Sequence, residues 1–216
     1  VSDTEREARR YWAKRLGLRV LILVLGLAGV TAFAFYSRSR MPPPPMAVYG
    51  TVPTFQLVDQ KGAPFTDGSM SGHVSVVDFI FTRCAASCPR LTAQMAALQG
   101  RLAAEGSKAK LVSFSVDPEN DTPPVLAEYA AKAGADPSRW SFVTGPVESV
   151  KTAVVGGFKV AMEKLPKGAG DYDVTHGDWF VLVDETGKLR GYYTTEEPKN
   201  VDRLVRDISR LEEHKP

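Results

Sequence analysis

Seventeen consecutive uncharged residues, Val20 to Tyr36, constrain this chain more than any other feature. The run reads VLILVLGLAGVTAFAFY and is apolar on every face of a helix, so it cannot lie half-buried on a water-soluble domain. At about 1.5 Å per residue it is close to the shortest helix that crosses a hydrocarbon core of roughly 30 Å. Leu16 to Val20, with Arg19 reaching back toward the headgroups, lengthens it. A cleaved signal peptide is the competing reading. It fits less well, because the run exceeds the roughly 7–15 residues of a signal core and no A-x-A site follows.

The flanks assign a direction. Six Lys/Arg precede the run (Arg6, Arg9, Arg10, Lys14, Arg15, Arg19), against Asp3, Glu5 and Glu7, and only Arg38 and Arg40 follow it. The positive-inside rule then puts the amino terminus in the cytoplasm and the bulk of the chain across the membrane. The tract Met41-Pro42-Pro43-Pro44-Pro45-Met46 reads as a polyproline II stalk, although a helix stop alone would need only one proline. The expected organisation is a cytoplasmic segment at 1–19, an anchor at 20–36, a Pro-rich linker at 37–47 and a folded domain at 48–216. Residues 1–40 hold eight Lys/Arg and three Asp/Glu, a net of +5, which leaves −3 on the rest of a chain whose total is +2. With 27 basic against 25 acidic residues overall, nothing calls for a nucleic-acid partner.

Beyond Val48 the pattern alternates between strands and helices. Thr54 to Val58 ends at the turn signal Asp59-Gln60-Lys61-Gly62 and reads as an edge strand or hairpin. His73 to Phe81 (HVSVVDFIF) is a nearly continuous apolar run, as in a strand covered on both faces. Leu91, Met95, Leu98 and Leu102 mark one face of a helix over Pro89–Ala104. Lys110 to Val116 is a second buried strand, and Asp121-Thr122-Pro123 starts a helix through about Lys132. Trp140 to Val143 is a short strand, Val147 to Val155 a helix broken by Gly156-Gly157, and Phe158 to Met162 an extended segment. A hairpin follows from Trp179 to Tyr193, turning at Asp184-Glu185-Thr186-Gly187, and Val201, Leu204, Val205, Ile208 and Leu211 mark a closing helix. No internal repeat is present. This order predicts an α/β, thioredoxin-like three-layer fold with a mixed central sheet.

The two cysteines of the chain fall together in Phe81-Thr82-Arg83-Cys84-Ala85-Ala86-Ser87-Cys88-Pro89, where the central strand gives way to the first helix. The amino end of a helix offers unpaired N–H groups and favours thiolate over thiol. One helical turn brings sulfurs four residues apart to the same side. A static disulfide or two buried structural cysteines are the plain alternatives. Two thiolates cannot form an all-cysteine zinc site, but with one imidazole they make a soft, low-coordinate site suited to copper, above all Cu(I). Three histidines are available. His73 opens the central strand at the end remote from Cys84, and His214 lies beside Glu212 and Glu213 near the end of the sequence. His176 precedes the Trp179 strand in a loop that reaches the cysteines if that strand runs antiparallel; spacing alone also suits a surface histidine. Met95 and Met162 read as core. Asp117-Pro118 and Asp121-Thr122-Pro123 read as turn and helix-start chemistry.

At these residues the sequence resembles the SCO/SenC family of membrane-anchored, thioredoxin-fold copper proteins. Thr82-x-Cys84-x-x-x-Cys88-Pro89 is similar to its T-x-C-x-x-x-C-P motif, and Ser115 to Pro123 (SVDPENDTP) to its S-V-D-P-x-x-D-T-P segment. His176 falls where the family carries its distal copper histidine. The resemblance implies a Cu(I)/Cu(II) site of Cys84, Cys88 and His176 in a metallochaperone that matures the dinuclear copper centre of a haem-copper respiratory oxidase. It implies as partners the copper-receiving oxidase subunit and other periplasmic copper or thiol-redox proteins. It also implies a single-pass inner-membrane location, with the main domain in the periplasm, or in the intermembrane space if mitochondrial. Two departures stand out: Ala85 where the family usually has proline, and Thr175 where it commonly has aspartate. The alternative function is a thiol-disulfide oxidoreductase that reduces partner cysteines before metallation, with Cys84 and Cys88 as the redox pair. A peroxidase-like use of Cys84 is the weakest reading.

Overall fold

A computed structural model describes residues 3–39, 44–84, 88–160 and 179–213. The chain divides into two compact units, residues 1–45 and 46–216. The first is built on one helix, α1 (Asp3–Ser39), which runs past both ends of the uncharged stretch. Its segment Lys14–Arg38 is the one stretch among the described residues long and apolar enough to cross a membrane. Leu21, Leu25 and Phe33 on it are exposed, and by length and composition the helix is a candidate membrane span. The expected stalk lies largely outside the described residues, which resume at Pro44.

The second unit is a mixed sheet of eight strands. In chain order the elements are β1 (Gly50–Thr51), β2 (Gln56–Asp59), β3 (Pro64–Thr66), β4 (Ser75–Ile80), α2 (Cys88–Ala104), β5 (Lys110–Ser115), α3 (Pro123–Lys132), β6 (Trp140–Thr144), α4 (Val147–Lys151), β7 (Trp179–Val183), β8 (Lys188–Thr194) and α5 (Pro198–Glu213). Across the sheet the strands run β1-β8-β7-β4-β5-β6-β2-β3. β4, β5 and β6 are parallel neighbours joined by α2 and α3, and β7 lies antiparallel to β4 on its other side. All six residues of β4 are buried, as a doubly covered central strand requires.

Side-chain contacts define the layers. On one face, Tyr129 of α3 packs edge-on to Phe142 of β6, and its hydroxyl meets Thr92 of α2 at 2.8 Å. On the same face the Tyr193 hydroxyl of β8 donates to Asp207 of α5 at 2.7 Å. On the opposite face Phe55, Phe79, Phe114 and Phe158 form an aromatic cluster with centroid spacings of 5.1–6.2 Å. Burial of each such ring contributes about 1.5–3 kcal/mol.

Three sequence expectations change. The helix expected over Val147–Val155 is α-helical only to Lys151 and continues as a π-helical turn over Thr152–Gly157. Phe158 does not begin an extended segment: it has helical dihedrals and is fully buried against Phe79 and Phe114, and Lys159 follows with φ +60°. Capture of the Phe158 ring by the core outweighs the strand propensity of its neighbours. Met162, the end of that expected segment, lies outside the described residues. β1 was not expected; two residues carry no period to read.

Candidate metal centre

The cysteine segment begins where β4 runs out. After Ile80 the chain turns tightly, the Cys84 N–H donating to the Phe81 carbonyl at 3.2 Å, and α2 starts at Cys88. The Cys88 N–H, one of the amino-terminal donors that an α-helix leaves without an internal partner, points to the Cys84 sulfur at 3.4 Å. The Cys84 sulfur thus lies against the backbone at the start of α2, with Cys84 half-buried and Cys88 fully buried. Their electrostatics differ from the helix-end expectation of easy ionisation. Burial pushes the Cys88 thiol far above the usual thiol range, against a Phe81 backbone hydrogen bond that favours the thiolate, and Cys84 and the Asp78 carboxylate add to the rise. Cys88 therefore keeps its proton until a cation or another strong electrophile takes the sulfur.

Two carboxylates from the loop after β5 hold the residues ahead of Cys84. Because β5 runs parallel to β4 with Ile80 opposite Ser115, both strands end on one edge and the next loop lies beside the cysteine turn. Asp121 is fully buried and accepts the Thr82 hydroxyl at 2.6 Å, the Thr82 N–H at 3.2 and 3.3 Å, and the Ser115 hydroxyl at 2.6 Å. Burial raises its pKa even against these hydrogen bonds. Asp117, also buried, takes the Arg83 guanidinium through Nη2 at 2.7 Å and Nε at 3.2 Å, with the Asn120 amide at 2.9 and 3.0 Å. Thr122 occupies the N-cap position of α3 with no side-chain cap bond, and Pro123 fills the first turn. The expected split between turn chemistry and site is thereby corrected. Asp117 does make the turn, its carbonyl accepting from Asn120 and Asp121, but both carboxylates are spent on the cysteine segment. A one-dimensional reading misses this because the donors lie 34 and 39 residues away.

The sequence reading does not single out Asp78, one polar residue within the apolar run of β4. It is fully buried in β4, with neither carboxylate oxygen hydrogen-bonded. Its register neighbour Ser113, whose oxygen accepts the Trp140 indole N–H at 2.9 Å, offsets part of the rise in its pKa. Burial is the dominant cause and raises the Asp78 carboxyl to about 7.

The histidines separate clearly. His73 is exposed ahead of β4, its Nδ1 hydrogen-bonded to the Ser71 carbonyl at 3.0 Å, away from the cysteines as expected. His176, the expected third ligand, and His214 lie outside the described residues. Among the described residues no group of three or more His, Cys, Asp or Glu side chains converges as a metal cage. The described part of the site is thus a pair of soft thiols at a helix start, a donor set that suits a soft cation of low coordination number. Met95 is fully buried in the core.

A thioredoxin-like sheet carrying a Cys-x-x-x-Cys-Pro turn at the end of its central strand defines a class of thiol and soft-metal proteins, and within that class the comparisons converge. The sequence profile described as SCO1/SenC matches residues 46–213, so the chain belongs to the SCO1/SenC family. It is 37% identical over 158 residues to the SCO1 protein homolog of Bacillus subtilis, covering 73% of this chain and 80% of that one. Among solved structures it resembles BsSco, described as having a disulfide switch and as a member of the Sco family of cytochrome c oxidase assembly proteins. That match has 33% identity and a TM-score of 0.69, covering 79% of this chain and 99% of that one. Yeast Sco1 with copper bound matches at 27% identity and a TM-score of 0.63, covering 74% of this chain and 89% of that chain.

Proposed function

We propose that this protein is a membrane-tethered copper carrier that serves assembly of the dinuclear copper centre of a haem-copper respiratory oxidase. Cys84, Cys88 and His176 are its ligands. The observation that carries the reading is the placement of the two cysteines: the Cys84 sulfur accepts from the Cys88 N–H at the start of α2, and the residues ahead of Cys84 are clamped by Asp117 and Asp121. Such a clamp pre-organises the first sulfur, so that little ordering is needed when the cation arrives. The copper-bound yeast Sco1 and the oxidase-assembly description of BsSco support copper as cargo and an oxidase subunit as recipient.

Copper is cargo here, held in few bonds so that it can leave. The thiols bind after losing their protons, and release proceeds by exchange, a recipient thiolate replacing one sulfur before the next departs. His176 adds a nitrogen donor that favours Cu(II) over the two-sulfur site alone. Helix α1 is the anchor of this reading, with its basic end cytoplasmic and the domain exported. The oxidase subunit and other exported copper or thiol-redox proteins are its partners.

A second reading, thiol reduction of a partner before metallation, draws on the disulfide switch described for BsSco and on the proximity of the two cysteines here. His176→Ala separates the two. Copper affinity of the reduced protein falls if the carrier reading holds, while thiol-disulfide exchange with a dithiol peptide continues. Unchanged copper affinity in the variant removes His176 from the site.

A further inference from the structure

The first residues of the second unit carry an apolar surface that the fold leaves in the open. Among the described residues of that unit, Val48 and Tyr49 are the two most exposed large apolar side chains, at 52% and 57%, against 37–39% for the others. They do not belong to a loose tail. The Tyr49 N–H donates to the Leu189 carbonyl at 2.9 Å and the Val52 N–H to the Gly187 carbonyl at 2.8 Å, on either side of the pairing of β1 with β8. Arg190 fixes the chain just ahead of them: its Nη1 donates to the Met46 carbonyl at 2.8 Å while its Nε meets Asp184 at 2.6 Å. That ion pair is mostly buried, at 17% and 7% side-chain exposure, a costly placement that here holds main chain. The Tyr49 ring stands edge-on to Tyr192 at 5.9 Å, and the Tyr192 hydroxyl donates to the Phe158 carbonyl at 2.9 Å. Two apolar side chains are thus held against water on an ordered edge, where their exposure gains nothing for the fold.

Their place in the chain points to what covers them. Tyr49 comes ten residues after Ser39, the end of α1. Ten residues reach at most about 33–36 Å however the linker is arranged. A domain of this size is about 40 Å across, so in a tethered chain the β1 flank is kept within one domain diameter of the bilayer surface. Tyrosine joins an apolar ring to a hydroxyl tip, the combination that settles at the level of lipid headgroups. Resting on the membrane-tethered reading, we infer that Val48 and Tyr49 dock the β1 flank into the headgroup layer of the bilayer, a second and weaker membrane contact beside the helical anchor. Once α1 is inserted this contact is intramolecular, so an affinity too low to hold a free domain on lipid suffices. Docking narrows the orientations that the linker allows, and the cysteine turn is then presented from a domain resting on the membrane.

The test reads lipid contact in the full-length chain, reconstituted in phosphatidylcholine vesicles. In a Cys84→Ser/Cys88→Ser background, a fluorophore is attached through Thr51→Cys, beside the patch, or through Glu128→Cys on α3, which covers the other face of the sheet. The quencher is a lipid that carries a nitroxide close to its headgroup. The inference predicts quenching at position 51 about threefold or more above that at position 128, falling to the level of position 128 when Val48→Ser and Tyr49→Ser are combined. Equal quenching at the two positions leaves the patch to a protein partner or a second copy of the chain, and overturns the inference. An excess that survives the double substitution is proximity through the linker alone, and overturns it as well. Failure of the chain to float with the vesicles overturns the membrane-tethered reading instead, so the two failures are distinguishable.

Discussion

The Asp121 carboxylate takes the Thr82 hydroxyl at 2.6 Å, two residues before Cys84. This bond ties the loop after β5 to the turn after β4, and through it the position of the first cysteine depends on a carboxylate 39 residues beyond Thr82. Asp121→Ala leaves the Thr82 and Ser115 hydroxyls and the Thr82 N–H without their acceptor in a buried setting. We expect a loss of about 2–4 kcal/mol in urea unfolding, since each buried unsatisfied group costs roughly 1–3 kcal/mol. Asp121→Asn, which keeps one acceptor oxygen, loses less.

The two thiols should differ in reactivity. Cys84 is half-buried and Cys88 fully buried, with its proton held by the apolar surroundings. In the reduced protein iodoacetamide therefore modifies Cys84 faster than Cys88, by about tenfold or more, as resolved by mass spectrometry of the peptides. Equal rates would mean that the cysteine turn opens readily in solution.

Much of this arrangement is readable from the sequence, and the parts that are not share one cause. The apolar run of β4, the helix period of Leu91, Met95, Leu98 and Leu102, and the junction that carries both cysteines are local patterns, and local patterns survive projection onto one dimension. Asp117 and Asp121 look like ordinary turn residues because their partners, Arg83 and Thr82, come close only through the parallel pairing of Ile80 with Ser115. Asp78 sits inside an apolar segment, where a single polar residue is easily set aside. The π-helical turn and the helical Phe158 follow from the tertiary capture of one ring, which no window of sequence displays.

Asp78 also leaves a mark on stability. Its folded pKa of about 7 lies above the ordinary carboxylate value of 3.8, so the native state retains a proton that the unfolded state has lost between those limits. The stabilisation from this proton is complete below pH about 4 and declines as pH rises toward 7, a displacement worth on the order of 4 kcal/mol. Asp78→Asn removes that decline. Unfolding free energies of the two proteins measured from pH about 4 to 8 should diverge in favour of the variant as pH rises. Parallel curves would mean that Asp78 ionises in the folded state as it does in the unfolded chain.

Gly157 closes the π-helical turn where a β-carbon would enter the Pro53 ring, against backbone-anchored atoms that cannot swing away. Gly157→Ala should cost about 1–3 kcal/mol through overpacking, visible as a lower unfolding midpoint with an unchanged denaturant slope. Gly156→Ala, where nothing lies within 4 Å, serves as the matched control and should be nearly neutral.

The central claim, one soft cation held by this cysteine pair, is tested most directly by metal analysis of the full-length chain in detergent with its thiols reduced or joined as a disulfide. The account predicts one copper per chain for the reduced protein and none for the disulfide form, because the disulfide removes both thiolate donors. Equal copper uptake by the two forms would contradict it.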